Sequence, residues 1–494
     1  MTMIGFPYLL RHSVFLLVFC TVIGAATLAS AQSTVTVEVL PGAPGHLLIQ
    51  GLGPATKSWS FRDAYAGVVG LSNRVRGFQL VDANGKQIAV RRLAPGQFSS
   101  DAPASNFKYE IELAPMARAA DAAFTSWLGT ERGLLMFGDL LPEARSERGE
   151  AISARLVLPS GWTAYGGDTA RQLSQIEIAD PDRAVVVVGK KIRVETRAVL
   201  GKPFTLLTES DWPFSDNEAI EMVQRVLQFH SQNVGPLPCE TSSLVLLPFP
   251  QATGPNKWSA QTRGCTVTLV TGRVPSKVGA LSQLELALTH ELFHLWVPNG
   301  LALAGNYDWF YEGFTMYQAA RAAVRLDLLS FEQFLKAIAD AYDGSSGRDA
   351  QNLSLIEAST QRWTSGASTV YSKGMVIAFL YDLNLRWQTR GKRSLDDVYR
   401  TIVRDYSVKT SAAGARVDAN SAVVGALRSE LLDQEFVNRL VLVRAAIDLE
   451  KELAPFGLQV EKLAVRSHIL PSAQLTNRQR DLLKQLGYND PRAR

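Results

Sequence analysis

LSQLELALTHELFHLWVPNGLALAGNYDWFYEGFTMY, running from Leu281 to Tyr317, holds two blocks from which the remainder of the chain can be read. They are His290-Glu291-Leu292-Phe293-His294 and Trp309-Phe310-Tyr311-Glu312-Gly313-Phe314. Two histidines at i and i+4 project from one face of a helix, so both imidazoles can close on one metal ion. Glu291 is turned about 100° from His290, away from that shared axis, and is placed to act as general base toward a metal-held water. The helix is expected to open at a capping box of Ser282 and Glu285, to bury Leu284, Leu288, Leu292 and Leu295, and to stop at Pro298. A catalytic zinc takes three protein ligands and keeps a fourth position open. Glu312, 18 positions after His294 in a second apolar helix from about Asp308, is the third ligand to which the spacing points. With only six histidines in 494 residues, a chance His-Glu-x-x-His is a rare event.

The chain is too long for one ordinary core, and two or three domains are expected. Apolar residues make up 46% and charged residues 20%, which supplies packed cores and excludes a disordered chain. The net charge of +4, without a basic stripe, argues against a nucleic-acid partner. Residues 1–31 read as a signal peptide. Arg11 precedes an apolar run from Val14 to about Leu28, Ala29-Ser30-Ala31 has the small-x-small form of a cleavage site, and Gln32 would begin the mature chain. A periplasmic or secreted protein is therefore expected, without a membrane span after cleavage near Ala31, since the run is shorter than the ~20 residues a span needs. Cleavage leaves Cys239 and Cys265, which either pair or stay as two separately buried thiols.

Strand signals dominate from Thr34 to about Leu200: alternation in Thr34–Val39 and Phe107–Leu113, a β-branched run at Val185–Val188, and a hairpin turn at Asp82-Ala83-Asn84-Gly85. An antiparallel, β-sandwich-like domain over residues 32–200 is expected. Ser215 with Glu218 opens a helix to about His230, an imidazole expected at a surface or an interface. Strands at Leu244–Leu247 and Cys265–Val270 flank a loop containing Pro250, Gly254 and Pro255. Ser330 with Gln333 opens a further helix, Leu395 to Gly457 reads as helical, and residues 461–494 read as a short helical tail. The fold class is thus α+β: a β-domain, then a catalytic domain over residues 201–460 with a mainly helical C-terminal half.

Several blocks together carry a resemblance: HELFHLW from His290, WFYEGFTMY from Trp309, Gly347-Arg348 through Glu357-Ala358-Ser359, YSKG from Tyr371, and YDLNLR from Tyr381. In order and spacing they resemble the glycyl aminopeptidase family of gluzincin metallopeptidases, from about Asp216 to Gly457. The resemblance implies a thermolysin-like catalytic domain that acts on a peptide or protein substrate. It implies one zinc per chain on His290, His294 and Glu312, with Glu291 as base and Tyr371 as the phenol that hydrogen-bonds the oxyanion. It also implies that the strand before the metal helix lies along the cleft; Arg263 and Trp258 are the substrate contacts expected there, and a basic lining led by Arg263 would favour internal bonds or acidic peptide segments.

The sequence departs from that family in three ways. Only 37 residues follow Gly457, so the PDZ domain common in such proteins is not expected here. No Gly-Gly-x-Glu-His-like block precedes the metal helix, and between Glu240 and Glu285 there is no Asp or Glu, whereas Lys257, Arg263, Arg273 and Lys277 all fall there. Selection for a free amino terminus then lacks its carboxylate, unless Asp308 or Glu357 folds into its place. Finally, no acid follows Glu312 where one would orient a ligand histidine, which leaves Asp308, Asp340 or Asp382 for that role. A non-catalytic binding protein on a zinc fold is the alternative this suggests, and hydrolysis of a non-peptide amide or ester would use the same site.

Overall fold

Val185–Gly189 is buried at every position because it lies in the middle of three layers. In the computed structural model, which describes residues 33–489 apart from 83, 144–150, 168–171, 346–352, 410–415, 432 and 445, it pairs antiparallel with Arg132–Met136 and Thr163–Gly166. Side chains alternate across a strand. Val186 and Val188 join Leu135 in a core with Val37, Ile49 and Tyr109 of the N-terminal sheet. Val185 and Val187 join Leu134 and Met136 against Leu207, Val245 and Leu247 of the following sheet. A strand covered on both faces has no polar side to display. The signal segment, with Ala31, and the Gly347-Arg348 pair lie outside the described residues.

The N-terminal sheet of eight strands is built on the long antiparallel pair Gly45–Ser60 and Gln97–Leu113. Its hairpin forms as read: Asp82 accepts from the backbone N–H groups of Asn84, Gly85 and Lys86, and Gly85 has φ 79°. The sheet is not wholly antiparallel, since Thr34–Leu40 runs parallel to Ile152–Val157. Alternation along one strand does not encode the direction of a distant partner.

The next sheet has the order Arg193–Val199, Lys202–Thr208, Ser242–Pro248, Thr266–Thr271, Trp258–Arg263. Its first hairpin straddles residue 200. One face, with Leu206, Leu244, Leu246, Val267 and Leu269, packs on the helices. The last strand, Trp258–Arg263, is an antiparallel edge strand.

The helix Asp216–Val234 carries the Ser215/Glu218 capping box. His230 is fully buried rather than at a surface, with Nε2 3.1 Å from the Thr289 carbonyl and its ring 5.0 Å from that of Phe293. Helical periodicity places it on the same face as Val223, Val226 and Leu227, so it enters the core with them. Burial lowers its pKa to about 4, which keeps the ring neutral near pH 7.

Thr315–Arg325, Phe331–Ser345, Gly374–Gln388 and Leu395–Tyr406 form much of the helical half. The first, third and fourth of these are locked by a buried network in which Arg321 meets Asp396 at 2.9 Å, Arg386 meets Asp382 at 2.9 Å, and Tyr317 donates to Asp382 at 2.6 Å. The C-terminal segment differs from a purely helical tail: Leu458–Leu463 and Arg466–Pro471 form a hairpin before the helix Asn477–Lys484. Cross-strand pairing of Val460 with Ile469, through a turn in which Ala464 takes φ 57°, outweighs the local helical tendency. Among the described residues, no helix is long and apolar enough to cross a membrane.

Cys239 and Cys265 are disulfide-bonded and close a loop with a sequence separation of 26. The bond ties the segment after the first long helix to the start of strand Thr266–Thr271. On the chain-entropy relation, replacing both cysteines by serine is expected to cost about 3 to 4 kcal/mol. The urea midpoint of the oxidised protein, measured against that of the double variant, checks this value.

Candidate metal centre and active site

The metal-bearing helix spans Lys277–Glu291 and begins at Ser276, whose Oγ accepts from the Gly279 N–H at 3.1 Å. It does not begin at Ser282, which lies inside the helix. Glu285 is buried, 3.1 Å from Arg225, instead of closing a capping box. Leu284, Leu288, Leu292 and Leu295 are buried as the stripe requires. After Glu291 the backbone tightens into a 3₁₀ turn, Phe293–Leu295, but Leu292 keeps helical dihedrals. His290 and His294 therefore remain one turn apart, with their Nε2 atoms 3.0 Å from each other.

Glu312 lies in a π-helical turn, Trp309–Phe314, and its Oε2 is 3.3 Å from His290 Nε2 and 3.6 Å from His294 Nε2. The three donor atoms lie within 4.8 Å of one another. His294 Nδ1 donates to the Val297 carbonyl at 2.8 Å, which leaves the Nε2 lone pair for a metal. For His294 a backbone carbonyl thus takes the orienting role for which Asp308, Asp340 and Asp382 are candidates, whereas the buried His290 Nδ1 meets no partner among the described residues. Asp340 pairs with Lys336, Asp382 belongs to the buried network, and Asp308 is held by Arg362. Burial raises the Glu312 carboxyl, but Arg362 and His294 outweigh it and hold the group well below the usual carboxylate range. Two imidazole nitrogens and one ionised carboxylate oxygen converging on one point fit zinc.

Glu291 is buried beside the pair, and the Thr262 hydroxyl lies 3.0 Å from its Oε2 and 2.8 Å from its carbonyl. Tyr371 arrives on a second π-helical turn, Thr369–Lys373, and its hydroxyl accepts from Arg362 Nη2. The same Nη2 donates to Glu312 Oε1 at 2.8 Å, so one guanidinium spans the ligand and the phenol. Nothing in the spacing of the motifs marks Arg362. Its only sequence signal is an arginine beside Trp363, between two of the family-like blocks. Lys373 is buried and donates to the Leu353 carbonyl at 3.3 Å, a structural role.

The two substrate contacts expected from the sequence are not brought to the metal. Arg263 is buried and turned toward the β-domain, donating to the Phe124 carbonyl at 2.7 Å with its guanidinium 4.4 Å from the Tyr65 ring centroid. Strand alternation explains this: Thr262 faces Glu291, so Arg263 must face away. Trp258 is 46% exposed, but it lies four residues before Thr262, about 13 Å along the strand, against Trp212 and Phe214. In place of a basic lining, the β-domain reaches over this end of the edge strand. Gln261 donates to the Tyr65 hydroxyl, the Phe124 and Trp363 rings lie 6.3 Å apart, and a Cβ on Gly67 would sit 3.2 Å from the Trp363 ring.

No family model and no curated protein matches the sequence. Solved structures do. An aminopeptidase N family protein from Idiomarina loihiensis matches over 87% of this chain and 79% of its own, with TM-score 0.72 and 15% identity. An M1 zinc metallopeptidase from Deinococcus radiodurans matches over 84% of this chain and 94% of its own, with TM-score 0.52 and 15% identity. The fold is similar to that of the two-domain M1 zinc metallopeptidases. In both, a β-sheet domain precedes a largely helical region, as it does here. A mutant of the Deinococcus enzyme was solved with a Tyr-Ser-Ala substrate, at 13% identity and TM-score 0.52 to this chain.

Ligand and base should separate under mutation. Glu312→Ala is expected to lose bound metal, whereas Glu291→Gln should keep it and lose turnover. Elemental analysis of the two purified variants checks the division; full zinc occupancy in Glu312→Ala would remove that residue from the ligand set.

Proposed function

We propose that this chain is an exported zinc metallopeptidase that hydrolyses peptide bonds, with Glu291 as general base and Tyr371 as donor to the oxyanion. One observation carries the reading: the His290, His294 and Glu312 donor atoms converge within 4.8 Å while Glu291 and the Tyr371–Arg362 pair border the same point. His290, His294 and Glu312 would hold the ion, which supplies Lewis acidity and a water of near-neutral pKa when bound. Glu291 takes a proton from the attacking water and passes it to the leaving nitrogen. The Thr262 hydroxyl holds one of its carboxylate oxygens in place for both transfers. Burial and the neighbouring Glu312 raise the Tyr371 pKa, and Arg362 offsets this only in part, so the phenol keeps its proton and can donate it to the oxyanion.

The export pattern of residues 1–31 and the Cys239–Cys265 disulfide support an oxidising compartment. The reading as a binding protein on a zinc fold rested on the missing orienting acid, a role that the Val297 carbonyl fills for His294. Zinc-dependent hydrolysis of casein by the purified protein tests the peptidase reading, and zinc-loaded protein that cleaves nothing would overturn it. Tyr371→Phe is expected to lower kcat by about 10²-fold or more with a small change in KM, because it removes one donor to charge that develops in the transition state.

The Tyr-Ser-Lys-Gly block supports kinship with glycyl aminopeptidases, yet strict selection for a free amino terminus finds no support. Among the described residues, Asp308 and Glu312 are bound to Arg362, and Glu357 is bound to Arg444. None of these three carboxylates is uncommitted and free to face an ammonium group. A preference for acidic segments loses its leading contact, because Arg263 faces the β-domain. A glycine-initiated peptide and its N-acetylated twin are therefore expected to be cleaved at comparable rates, as read by mass spectrometry of the products. Abolition of cleavage by the acetyl group would reveal a carboxylate that holds the amine.

A further inference from the structure

We propose that Arg362 is a positioning residue: it turns the Tyr371 proton toward the substrate and restricts Glu312 to one ligating oxygen. The inference deepens the peptidase reading, on which its kinetic test rests. Arg362 is buried, and both terminal nitrogens of its fork are fully used. Nη1 donates to Asp308 Oδ1 at 2.8 Å and to the Tyr311 hydroxyl at 3.1 Å. Nη2 donates to Glu312 Oε1 at 2.8 Å and to the Tyr371 hydroxyl. Each terminal nitrogen has two hydrogens, and each serves one carboxylate and one phenol. The Trp363 ring, with its centroid 4.1 Å from the guanidinium carbon, fixes the plane of the fork.

The two phenols then differ in a way that matters chemically. A guanidinium only donates, so both hydroxyl oxygens accept from it and must send their own hydrogens elsewhere. Tyr311 sends its hydrogen back to Asp308 Oδ1 at 2.7 Å. Among the described residues, nothing accepts the hydrogen of Tyr371, whose O–H is thus left for the cleft. On the carboxylate side, Oε1 of Glu312 is engaged by Arg362 while Oε2 faces the two imidazoles, so a single oxygen is presented to the ion. Lysine would retain the charge but could not serve four oxygens from one plane.

Arg362→Met, Arg362→Lys and each combined with Tyr371→Phe test the proposal. Arg362→Met is expected to keep one zinc per chain, by elemental analysis, and to lose on the order of 10²-fold in kcat with little change in KM. In the Tyr371→Phe background the same change should cost much less than in the wild type, because the part of its effect that runs through the Tyr371 proton is already lost. Arg362→Lys should recover only part of the loss. Losses that multiply, full recovery by lysine, or loss of zinc from both single variants would each overturn the proposal. A readout independent of turnover comes from NMR of carbon-labelled tyrosine in the zinc-loaded protein. The Tyr371 ring carbon bearing the hydroxyl should shift in Arg362→Met, and an unchanged resonance would sink the idea. If the wild-type protein cleaves no peptide, the peptidase reading falls and the NMR result alone decides the role of Arg362.

Discussion

Backbone meets backbone where Gly313 passes Gly374, and the chemistry of the site depends on that crossing. A Cβ at Gly313 would lie 2.3 Å from the Val370 carbonyl oxygen and 2.7 Å from the Gly374 Cα. Only residues without side chains allow two helical segments to approach this closely. Gly313 lies in one π-helical turn and Gly374 directly follows another, a wider turn frequent at functional sites. The consequence is that Glu312, next to one glycine, and Tyr371, three residues before the other, come within reach of the same guanidinium. The glycines of the Glu-Gly-Phe and Tyr-Ser-Lys-Gly blocks are therefore steric requirements of the site.

The β-domain takes part in this construction. Its four-stranded sheet is shared between two cores, so the N-terminal sheet and the sheet that carries the edge strand are packed through a common layer. Arg263, donating to the Phe124 carbonyl, and Tyr65, accepting from Gln261, then fasten the edge strand to the β-domain beside the cleft. Thr262, held between these two residues, keeps its hydroxyl on Glu291.

Electrostatics set a further condition. Glu291, Glu312 and Asp308 crowd a buried region, and buried carboxylates without partners are strongly destabilising. Arg362 offsets the charge of two of them, and the third, Glu291, lies beside the Thr262 hydroxyl. Behind the metal helix a second set of buried charges, Arg321 with Asp396 and Arg386 with Asp382, is likewise fully paired and joins three helices. Arg362 with Asp308 and Glu312, and Arg321 with Asp396, pair across long stretches of chain, whereas Arg386 and Asp382 lie one helical turn apart.

What the sequence determined by itself were the features that short-range periodicity encodes. His290, Glu291 and His294 acquire their relation from one helical turn, and the Ser215 capping box, the Asp82 hairpin turn and the strand Val185–Val188 from patterns a few residues long. Glu312 was legible because its block repeats a known arrangement at a fixed spacing. The tertiary structure alone decided the rest. Ser276 caps the metal helix where Ser282 offered an equally good local pattern, and Arg263 faces the β-domain because strand alternation gives the cleft side to Thr262. Thr34–Leu40 found a parallel partner, and His230 entered the core. Arg362, which touches both Glu312 and the Tyr371 phenol, belongs to no motif, because its four partners come from two separate segments that meet only when two glycines let them cross.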